Sequence, residues 1–239
     1  MKWRTSISTH KNGDLYVRGK ALGELIETRS FSEVAFLLLK GTLPTEKENK
    51  LFNAMLVSMS EHGIAAPSTF IARTAISTGN TFNSAIAAGI LSIGEYHGGA
   101  VEKCAYLLQV NKSAEYLVDN VLKRGGRMPG YGHRLYKEKD PRAEVLVTKA
   151  KKLGLSGNYV KLAMAIEKEL QKKTGKKLPL NIDGAVAALM LELGFDWRLG
   201  KALFVLGRLP GLIAHTHEEL VREKPYRRLD ETDIEYDGP

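Results

Sequence analysis

From Ser30 onward the sequence carries one helical pattern after another, with no strand pattern between them. Capping boxes, an arrangement that begins many helices, occur at Ser30–Glu33 and Thr45–Glu48. Apolar residues then recur at spacings of three and four, as between Leu51 and Met59. Because no strands alternate with these helices, a Rossmann or TIM-barrel architecture is not expected.

The rest of the chain extends this helical prediction. Residues 68–94 are rich in Ala, Ser, Thr and Gly, which predicts a buried, closely packed helix pair broken near Thr78–Asn80. Before the helices, Asn12-Gly13 separates two β-prone runs, Thr5–Thr9 and Leu15–Arg18, the pattern of a hairpin. Further helices are predicted over Ala114–Lys123, Arg142–Leu153, Tyr159–Lys173, Gly184–Leu193, Arg198–Leu206 and Pro210–Arg222. The sequence therefore predicts an all-α protein with one small N-terminal β-hairpin.

Composition narrows the class of protein and its ligands. The formal net charge of +8 attracts anions, but no basic tail or aromatic-plus-basic stripe indicates nucleic acid. Cys104 is the single cysteine, so neither an internal disulfide nor a cysteine-based zinc site is expected. No run of about 18 apolar residues predicts a membrane span, and the first ten residues lack the apolar core of a signal peptide. We therefore expect a cytoplasmic protein whose positive charge is either a solvated basic surface or a means of binding anionic small molecules.

Several polar residues occupy positions suited to chemistry. Of the six histidines, His62, His97 and His133 stand next to glycine, where the backbone can bend around a ligand. One such histidine is more typical of a structural role, but three in one helical protein indicate a site. Asp183 begins an apolar helix, so from spacing alone Asn181 or Asp183 caps that helix, or Asp183 is a base for carbon-acid chemistry. Because no HExxH motif or tight His/carboxylate cluster occurs, no metal is predicted.

Arginines provide candidate ligands for carboxylates. Arg134 and Arg142 flank a basic segment, and Arg142 follows Asp140-Pro141, which predicts that a helix begins there. Arg208 stands in the apolar stretch "VLGRLPG", where a lone cation needs an anionic partner. Arg73 has similar surroundings, for which an internal structural partner is expected.

These motifs resemble those of the citrate synthase superfamily, in the same order along nearly the whole chain. The segment Ser68–Ile90 resembles its central helices, and "HGGAVEK" from His97 resembles its His-Gly-Gly-Ala-Asn-Glu motif. The segment "GYGHRLYKEKDPRA" from Gly130 resembles its Gly-Phe-Gly-His-Arg motif with Asp-Pro-Arg-Ala. Toward the C-terminus, "NIDGAVAALMLELG" resembles its Asn-Val-Asp segment and "GRLPGLIAHTHEEL" its arginine-containing helix.

The resemblance implies a domain organisation and a ligand. It implies a large helical domain, residues 1–105 with 196–239, and a small coenzyme A-binding domain, residues 106–195, which close over the substrate in a homodimer or larger homo-oligomer. It also implies a coenzyme A thioester as substrate, with no tightly bound cofactor. The residues expected to contact coenzyme A are Arg127, Met128, Gly130, Tyr131, Gly132 and Lys137.

Within the superfamily, two features resemble the citryl-CoA lyases and the C-terminal module of ATP-citrate lyase. The chain is much shorter than a typical synthase, and the segments "EHG", "LSIGE", "NIDG" and "FVLGR" resemble that module. His97 departs from the module, which has an aromatic residue there, and so keeps a synthase open. No ATP-grasp segment occurs, so no ATP step is implied.

The resemblance assigns roles for the cleavage of (3S)-citryl-CoA to acetyl-CoA and oxaloacetate. His133 would take the hydroxyl proton, Asp183 would protonate the acetyl-CoA enolate, and His97 would donate a hydrogen bond to the thioester oxygen. Expected carboxylate ligands are His62, Arg134, Arg142 and Arg208, with Arg227 or Arg228 reaching a neighbouring subunit's site. The alternatives are a compact citrate synthase, a lyase for another 3-hydroxy-3-carboxyacyl-CoA, and a non-catalytic or regulatory subunit of a larger lyase.

Overall fold

The computed structural model describes residues 2–110 and 112–239 of the chain. The strands are β1 (Ser8–Lys11), β2 (Asp14–Val17) and β3 (Lys20–Ala21). The helices are α1 (Leu22–Thr28), α2 (Phe31–Lys40), α3 (Glu46–Met59), α4 (Pro67–Ser77), α5 (Phe82–Leu91), α6 (Ala100–Gln109), α7 (Ala114–Lys123), α8 (Pro141–Leu153), α9 (Asn158–Thr174), α10 (Ile182–Glu192) and α11 (Gly200–Arg222). Short 3-10 turns occupy Trp197–Leu199 and Glu231–Asp233. The predicted all-α class with an N-terminal hairpin is confirmed.

The hairpin contains one strand more than predicted. Asn12 and Gly13 both have positive φ, 53° and 88°, which matches a two-residue turn between antiparallel strands. β2 also pairs with β3, so the sheet has the order β1-β2-β3. The first predicted run, Thr5–Thr9, begins too early because the tight turn fixes the pairing from Lys11 with Asp14 outward.

The chain forms two compact units. The first unit contains the residues up to 58 together with 100–201, and the second contains 59–99 together with 202–239. The sequence-based division has different bounds, with one domain at 1–105 and 196–239 and the other at 106–195. It concerns the large and small domains that the resemblance implies, and it stays a prediction.

α10 is the central helix of the first unit. Nearly all its side chains are buried, and it packs against α6, α8 and α9. A helix that is apolar all round is stable only inside a core. A second cluster joins the rings of Phe36, Phe52 and Phe195, whose centroids lie 4.9–5.4 Å apart. This core fixes the start of α10, which carries Asp183.

The second unit is built on α4, α5 and α11. The predicted break is confirmed, since α4 ends at Ser77 and α5 begins at Phe82. A Cβ on Gly89 would lie 2.9 Å from the Ser68 carbonyl oxygen, so glycine permits the close approach of α4 and α5. The pair was predicted to be buried. In the single chain, however, only Ala85 and Gly89 of α5 are buried.

α11 corrects the prediction of two separate helices, Arg198–Leu206 and Pro210–Arg222. It continues through Pro210, although proline removes one backbone hydrogen bond. Leu203 and Leu212 are both fully buried, so packing on each side of the proline holds the helix together. Across the described residues, no helix combines the length and apolar character needed to cross a membrane.

Candidate active site

Gly130 and Gly132 let the backbone of their loop touch the start of α10. A Cβ on Gly130 would lie 2.7 Å from the Gly184 Cα, and a Cβ on Gly184 would lie 2.4 Å from the Gly130 carbonyl oxygen. Both loop glycines have positive φ, 85° and 77°. The Asn181 N–H donates to the Gly130 carbonyl at 3.0 Å, and the Gly132 N–H donates to the Pro179 carbonyl at 2.8 Å. The backbone of the Gly-Tyr-Gly segment therefore packs directly against the start of α10 and is hydrogen-bonded to it.

Asn181, and not Asp183, caps α10. The Asn181 side-chain oxygen accepts hydrogen bonds from the N–H groups of Asp183 and Gly184, at 3.0 and 3.1 Å. The Asp183 carboxylate is therefore not needed for capping, and its role as a base stays a prediction. Burial raises the pKa of Asp183 to about 6, although the nearby charge of Arg142 opposes the shift. Such a carboxyl group can both give and take a proton near neutral pH.

Asp140 and Arg142 form a fork at the start of α8. Asp140 Oδ1 accepts from the Arg142 backbone N–H and from Nε, both at 3.0 Å. Oδ2 accepts from Arg142 Nη2 at 2.8 Å and from the Ile182 N–H at 3.0 Å. The helix predicted to begin beside Arg142 does so, and Asp140 is its N-cap.

His133 lies beside this fork. Its Nδ1 accepts from the N–H groups of Leu135 and Tyr136, at 3.1 and 3.2 Å. An Nδ1 that accepts two hydrogen bonds carries no proton, so Nε2 carries it in the neutral ring. Nε2 lies 3.3 Å from Arg142 Nη2. Two donors that face the same space can both bind one oxygen of a ligand.

Burial, followed by the positive charge of Arg142, lowers the pKa of His133, so the neutral ring dominates at pH 7. In the resting state this geometry makes His133 a donor to a substrate oxygen. Its expected action as acceptor of the hydroxyl proton stays a prediction.

Tyr131 and Met128 anchor the loop by their side chains. The Tyr131 hydroxyl donates to the Ala163 carbonyl at 2.9 Å, and Met128 is 6% exposed. Only their backbones remain available for the expected contacts with coenzyme A. Cys104, on α6, is buried against the same loop, since a Cβ on Gly130 would lie 2.9 Å from its Sγ. Burial, with a smaller contribution from Asp183, raises the pKa of this thiol to about 12.

In the second unit, His97 is oriented by a serine that sequence reasoning missed. His97 Nε2 lies 2.8 Å from the Ser68 hydroxyl, and Ser68 is fully buried on α4. Burial lowers the pKa of His97, so the ring is neutral at pH 7. A hydroxyl that donates to Nε2 leaves the ring proton on Nδ1, free for a ligand. No pattern in one sequence singles out Ser68 among the serines of this region.

Phe204 is the scaffold for three candidate residues. The rings of His62 and His97 each lie 5.9 Å from its ring, and the Arg208 guanidinium lies 5.4 Å from its centroid. A Cβ on Gly98 would lie 2.6 Å from the Phe204 ring, which explains the first glycine of the "HGG" motif. Phe204 was predicted only as an apolar helix residue.

Arg208 has the buried position expected for a ligand of an anion. It is fully buried and contacts His62 Nδ1, while its Nε and Nη1 have no hydrogen-bond partner among the described residues. Burial lowers the pKa of Arg208, yet a guanidinium stays charged at pH 7. A buried cation with unpaired donors is costly without an anion. A carboxylate beside either donor would satisfy it and offset the buried charge.

Glu61 holds the loop that carries His62. Its Oε1 accepts from the N–H groups of His62, at 2.8 Å, and Gly63, and its Oε2 pairs with His215 Nε2 at 3.2 Å. Charged groups next to a predicted histidine are a weak signal, and sequence reasoning did not use this one.

Arg73 has the internal partner that was expected. Its Nε donates to Glu219 at 2.6 Å, and both side chains are buried. Arg227 donates to the same carboxylate through Nε and Nη2, at 2.7 and 2.8 Å. Arg227 is thus bound within its own chain, whereas Arg228 is exposed.

The structure brings the predicted residues together in two clusters. In the first unit, His133, Arg142 and Asp183 gather around Asp140 and the glycine loop. In the second, His62, His97 and Arg208 gather around Phe204. Arg127, Arg134 and Lys137 are exposed near the glycine loop. Within residues 2–110 and 112–239, no three His, Cys, Asp or Glu side chains are placed to hold a metal ion.

Comparison with known proteins agrees with these motifs. A family model described as "Citrate synthase, C-terminal domain" matches residues 1–54 and 44–229. "Citrate synthase 2" of Bacillus subtilis (strain 168) is 32% identical over 218 residues, which cover 89% of this chain. The chain spans only 57% of the length of that relative.

Two solved structures are also similar. Citryl-CoA lyase from Hydrogenobacter thermophilus is 46% identical with a TM-score of 0.95, over 99% of this chain and 95% of the other. ATP citrate lyase from Methanothrix soehngenii, in complex with citrate and coenzyme A, is 25% identical with a TM-score of 0.86, over 100% of this chain and 42% of the other. Since the family model matches most of the residues, including both clusters, the chain belongs to the citrate synthase family.

Proposed function

We propose that this protein is a citryl-CoA lyase, which cleaves (3S)-citryl-CoA to acetyl-CoA and oxaloacetate. One observation carries the proposal. The chain matches nearly the full length of a citryl-CoA lyase at 46% identity, whereas it spans little more than half of its citrate synthase relative. We also propose that the protein is cytoplasmic, since its single cysteine is a free, buried thiol that suits a reducing compartment. Cell fractionation would test this location.

The proposed reaction is a retro-Claisen cleavage, and the two clusters have complementary roles in it. The bond between the carbinol carbon and the thioester α-carbon breaks, and its electron pair moves to the thioester as an enolate. His97 donates to the thioester oxygen, where negative charge develops. Asp183, in its protonated form, delivers a proton to the α-carbon, which gives acetyl-CoA. The carbinol oxygen loses its proton and becomes the keto oxygen of oxaloacetate.

His133 and Arg142 act at the carbinol oxygen. Their two donors, 3.3 Å apart, would both bind this oxygen and stabilise the charge that builds on it as its proton leaves. We retain His133 as the acceptor of that proton, which requires the ring to react as the tautomer that carries its own proton on Nδ1, so that Nε2 takes the carbinol proton and the ring becomes an imidazolium. Loss of the acid limb of the pH–rate profile in His133→Gln would support this assignment.

His62 and Arg208, with Arg134, would hold citryl carboxylates. The buried guanidinium of Arg208 is the strongest reason, because its Nε and Nη1 have no partner among the described residues and a carboxylate that accepts a charge-assisted hydrogen bond would offset the burial. At the coenzyme A end, we propose that the backbone of Met128–Gly132 contacts the adenine, while Arg127 and Lys137 contact phosphates.

Arg208→Leu is expected to raise the KM for citryl-CoA roughly 10- to 100-fold, because hydrogen bonds to a charged group contribute about 1.5–3 kcal/mol. The ligand-free variant should be as stable as the wild type or more stable, since leucine removes a buried cation whose donors are unpaired. Steady-state kinetics, binding of free coenzyme A and thermal unfolding measure the three effects.

The matched control for this variant is Arg222→Leu, an exposed arginine on the same helix. It should leave the KM within twofold. If Arg208→Leu weakens coenzyme A as much as citryl-CoA, Arg208 belongs to the phosphate end and the carboxylate assignment is wrong.

One assay separates the proposed lyase from its alternatives. The purified protein is incubated with (3S)-citryl-CoA and the products are identified by mass spectrometry. Acetyl-CoA with oxaloacetate supports the lyase, whereas citrate with free coenzyme A indicates a compact citrate synthase. If citryl-CoA gives no product but another 3-hydroxy-3-carboxyacyl-CoA is cleaved, the protein is a lyase for that other substrate. No turnover of any of these indicates a regulatory subunit.

We further propose that two copies associate through the second unit. Its three helices leave large apolar side chains exposed, such as Phe70 at 50%, Leu91 at 84% and Leu220 at 57%. Large apolar side chains exposed on one unit in this way are typical of a subunit interface. Arg227 or Arg228 would then reach the neighbouring subunit's site, as the resemblance implies.

Light scattering is expected to give a mass of at least twice 26.4 kDa for the wild type. Leu91→Glu should shift the population toward the monomer, because a charge would be buried in the interface. The control is Ile26→Glu, a similarly exposed residue of the first unit. Dissociation by the control and not by Leu91→Glu would place the interface elsewhere.

A further inference from the structure

Asp140 is the most completely bonded carboxylate of the first cluster. It is 2% exposed, and four donors converge on its two oxygens. Burial opposes its ionisation, but the hydrogen bonds and charge of Arg142 outweigh burial and lower the pKa of Asp140. It is therefore a buried anion at pH 7, with its charge matched to one arginine.

The four bonds connect two different parts of the cluster. Three come from Arg142, one from its backbone N–H and two from its guanidinium, which they fix with Nη2 3.3 Å from His133 Nε2. The fourth comes from the N–H of Ile182, the first residue of α10, next to Asp183. One side chain thus joins the arginine proposed to bind the carbinol oxygen and the helix that carries the proposed proton donor.

A helix cap alone does not need this arrangement. The same chain contains a second Asp-x-Arg motif with all three arginine bonds but no fourth donor, at Asp196 and Arg198. There Asp196 Oδ1 accepts from the Arg198 backbone N–H and Nε, both at 2.9 Å, on the exposed surface. What Asp140 has in addition is burial and the bond to Ile182.

We propose that Asp140 is a positioning residue of the reaction, which sets the separation between the Arg142 guanidinium and the first turn of α10. The inference rests on the proposed function, in which Arg142 binds the carbinol oxygen and Asp183 protonates the neighbouring carbon. These atoms belong to one substrate, so a fixed separation keeps both in reach. A displacement of about 1 Å in such a group can cost about 10²-fold in rate.

The buried charge of Asp140 also acts on Asp183. A nearby negative charge disfavours ionisation of a carboxyl group, and Asp140 helps to keep the pKa of Asp183 high. Removing that charge should therefore move the pKa of Asp183 downward.

Asp140→Asn is the test. Asparagine can still cap α8, but it has one acceptor oxygen for four donors, and its NH2 group faces another donor. We expect kcat/KM for citryl-CoA to fall about 10²-fold. We also expect the pKa of Asp183, followed by its 13C carboxyl resonance, to fall. The resonance is assigned from its absence in Asp183→Asn.

Asp196→Asn is the matched control, because it removes the same fork from an exposed site. It should leave kcat/KM within twofold and the pKa of Asp183 unchanged. If Asp140→Asn does not fold, Asp140→Glu replaces it. Glutamate keeps the charge but displaces the fork, so KM should rise while the pKa of Asp183 stays high.

The outcomes separate the inference from the proposed function. If the wild type does not cleave citryl-CoA, the proposed function fails, and the carboxyl titration still tests the link between Asp140 and Asp183. A variant at residue 140 with wild-type kinetics and an unchanged Asp183 pKa would overturn the inference and leave Asp140 as a helix cap.

Discussion

Asp183→Asn is expected to lower the rate of citryl-CoA cleavage by about 10²–10⁴-fold, the usual contribution of a general acid or base. Because Asn181 caps α10, the variant should keep its fold and its affinity for coenzyme A. Turnover within a few-fold of the wild type would contradict the role of Asp183 in proton transfer.

The wild-type pH dependence gives a second readout for Asp183, whose pKa is about 6. Cleavage uses its protonated form, so kcat/KM should fall as pH rises through this pKa. Exchange of the acetyl-CoA methyl protons with deuterium uses the ionised form and should increase over the same range. Profiles with the same slope would assign the pKa to another group.

The free energy of unfolding should also depend on pH, because Asp183 ionises over the same range. The pKa of Asp183 is about 6 in the folded protein against 3.8 for an ordinary aspartate, so folding favours its protonated form. That stabilisation is complete below pH 3.8 and is lost as pH rises through 6. Asparagine cannot ionise, so Asp183→Asn should gain up to about 3 kcal/mol over the wild type above pH 6. Denaturant unfolding at pH 5 and pH 8 checks the difference.

His97→Phe is expected to slow cleavage by about 10²–10³-fold, because a hydrogen-bond donor aimed at the thioester oxygen is lost. The imidazole is neutral and lies between Ser68 and Phe204, and a Ser68 hydroxyl that donates to Nε2 would place the ring N–H on Nδ1 for the thioester oxygen. Oxaloacetate formation and methyl-proton exchange should fall together, since both pass through the enolate.

Ser68→Ala is the companion variant. It removes the group that orients His97 and should cost roughly 2- to 10-fold, in line with one hydrogen bond of about 0.5–1.5 kcal/mol. If phenylalanine at residue 97 is tolerated in both assays, His97 is a packing residue. His133 and Asp183 would then remain as the two residues proposed for proton transfer.

Sequence reasoning located the residues whose type reflects their chemistry. A lone arginine in "VLGRLPG" and an aspartate at the start of an apolar helix are chemically conspicuous, and the structure places both at partly or fully buried positions. Helices with capping boxes were equally visible, because a cap and its helix are close in sequence.

Residues that act through distant partners were not visible. Ser68 orients His97 across 29 residues, and Asp140 reaches Ile182 across 42. Phe204 lies over Arg208 because α11 continues past Leu206, where the sequence predicted the end of a helix. These roles arise from tertiary contacts, which leave no periodic pattern in one chain.

The burial of Cys104 gives the protein a natural reporter of its own opening. Its thiol has a pKa of about 12 and lies against the glycine loop, so it is nearly unreactive in the closed state. A thiol reagent can modify only molecules in which α6, the loop and α10 have separated. When closing is faster than modification, the labelling rate yields the free energy of that local opening. Labelling rates measured by absorbance with and without a substrate would thus show how strongly that substrate stabilises the Asp183 end of α10, with no probe attached.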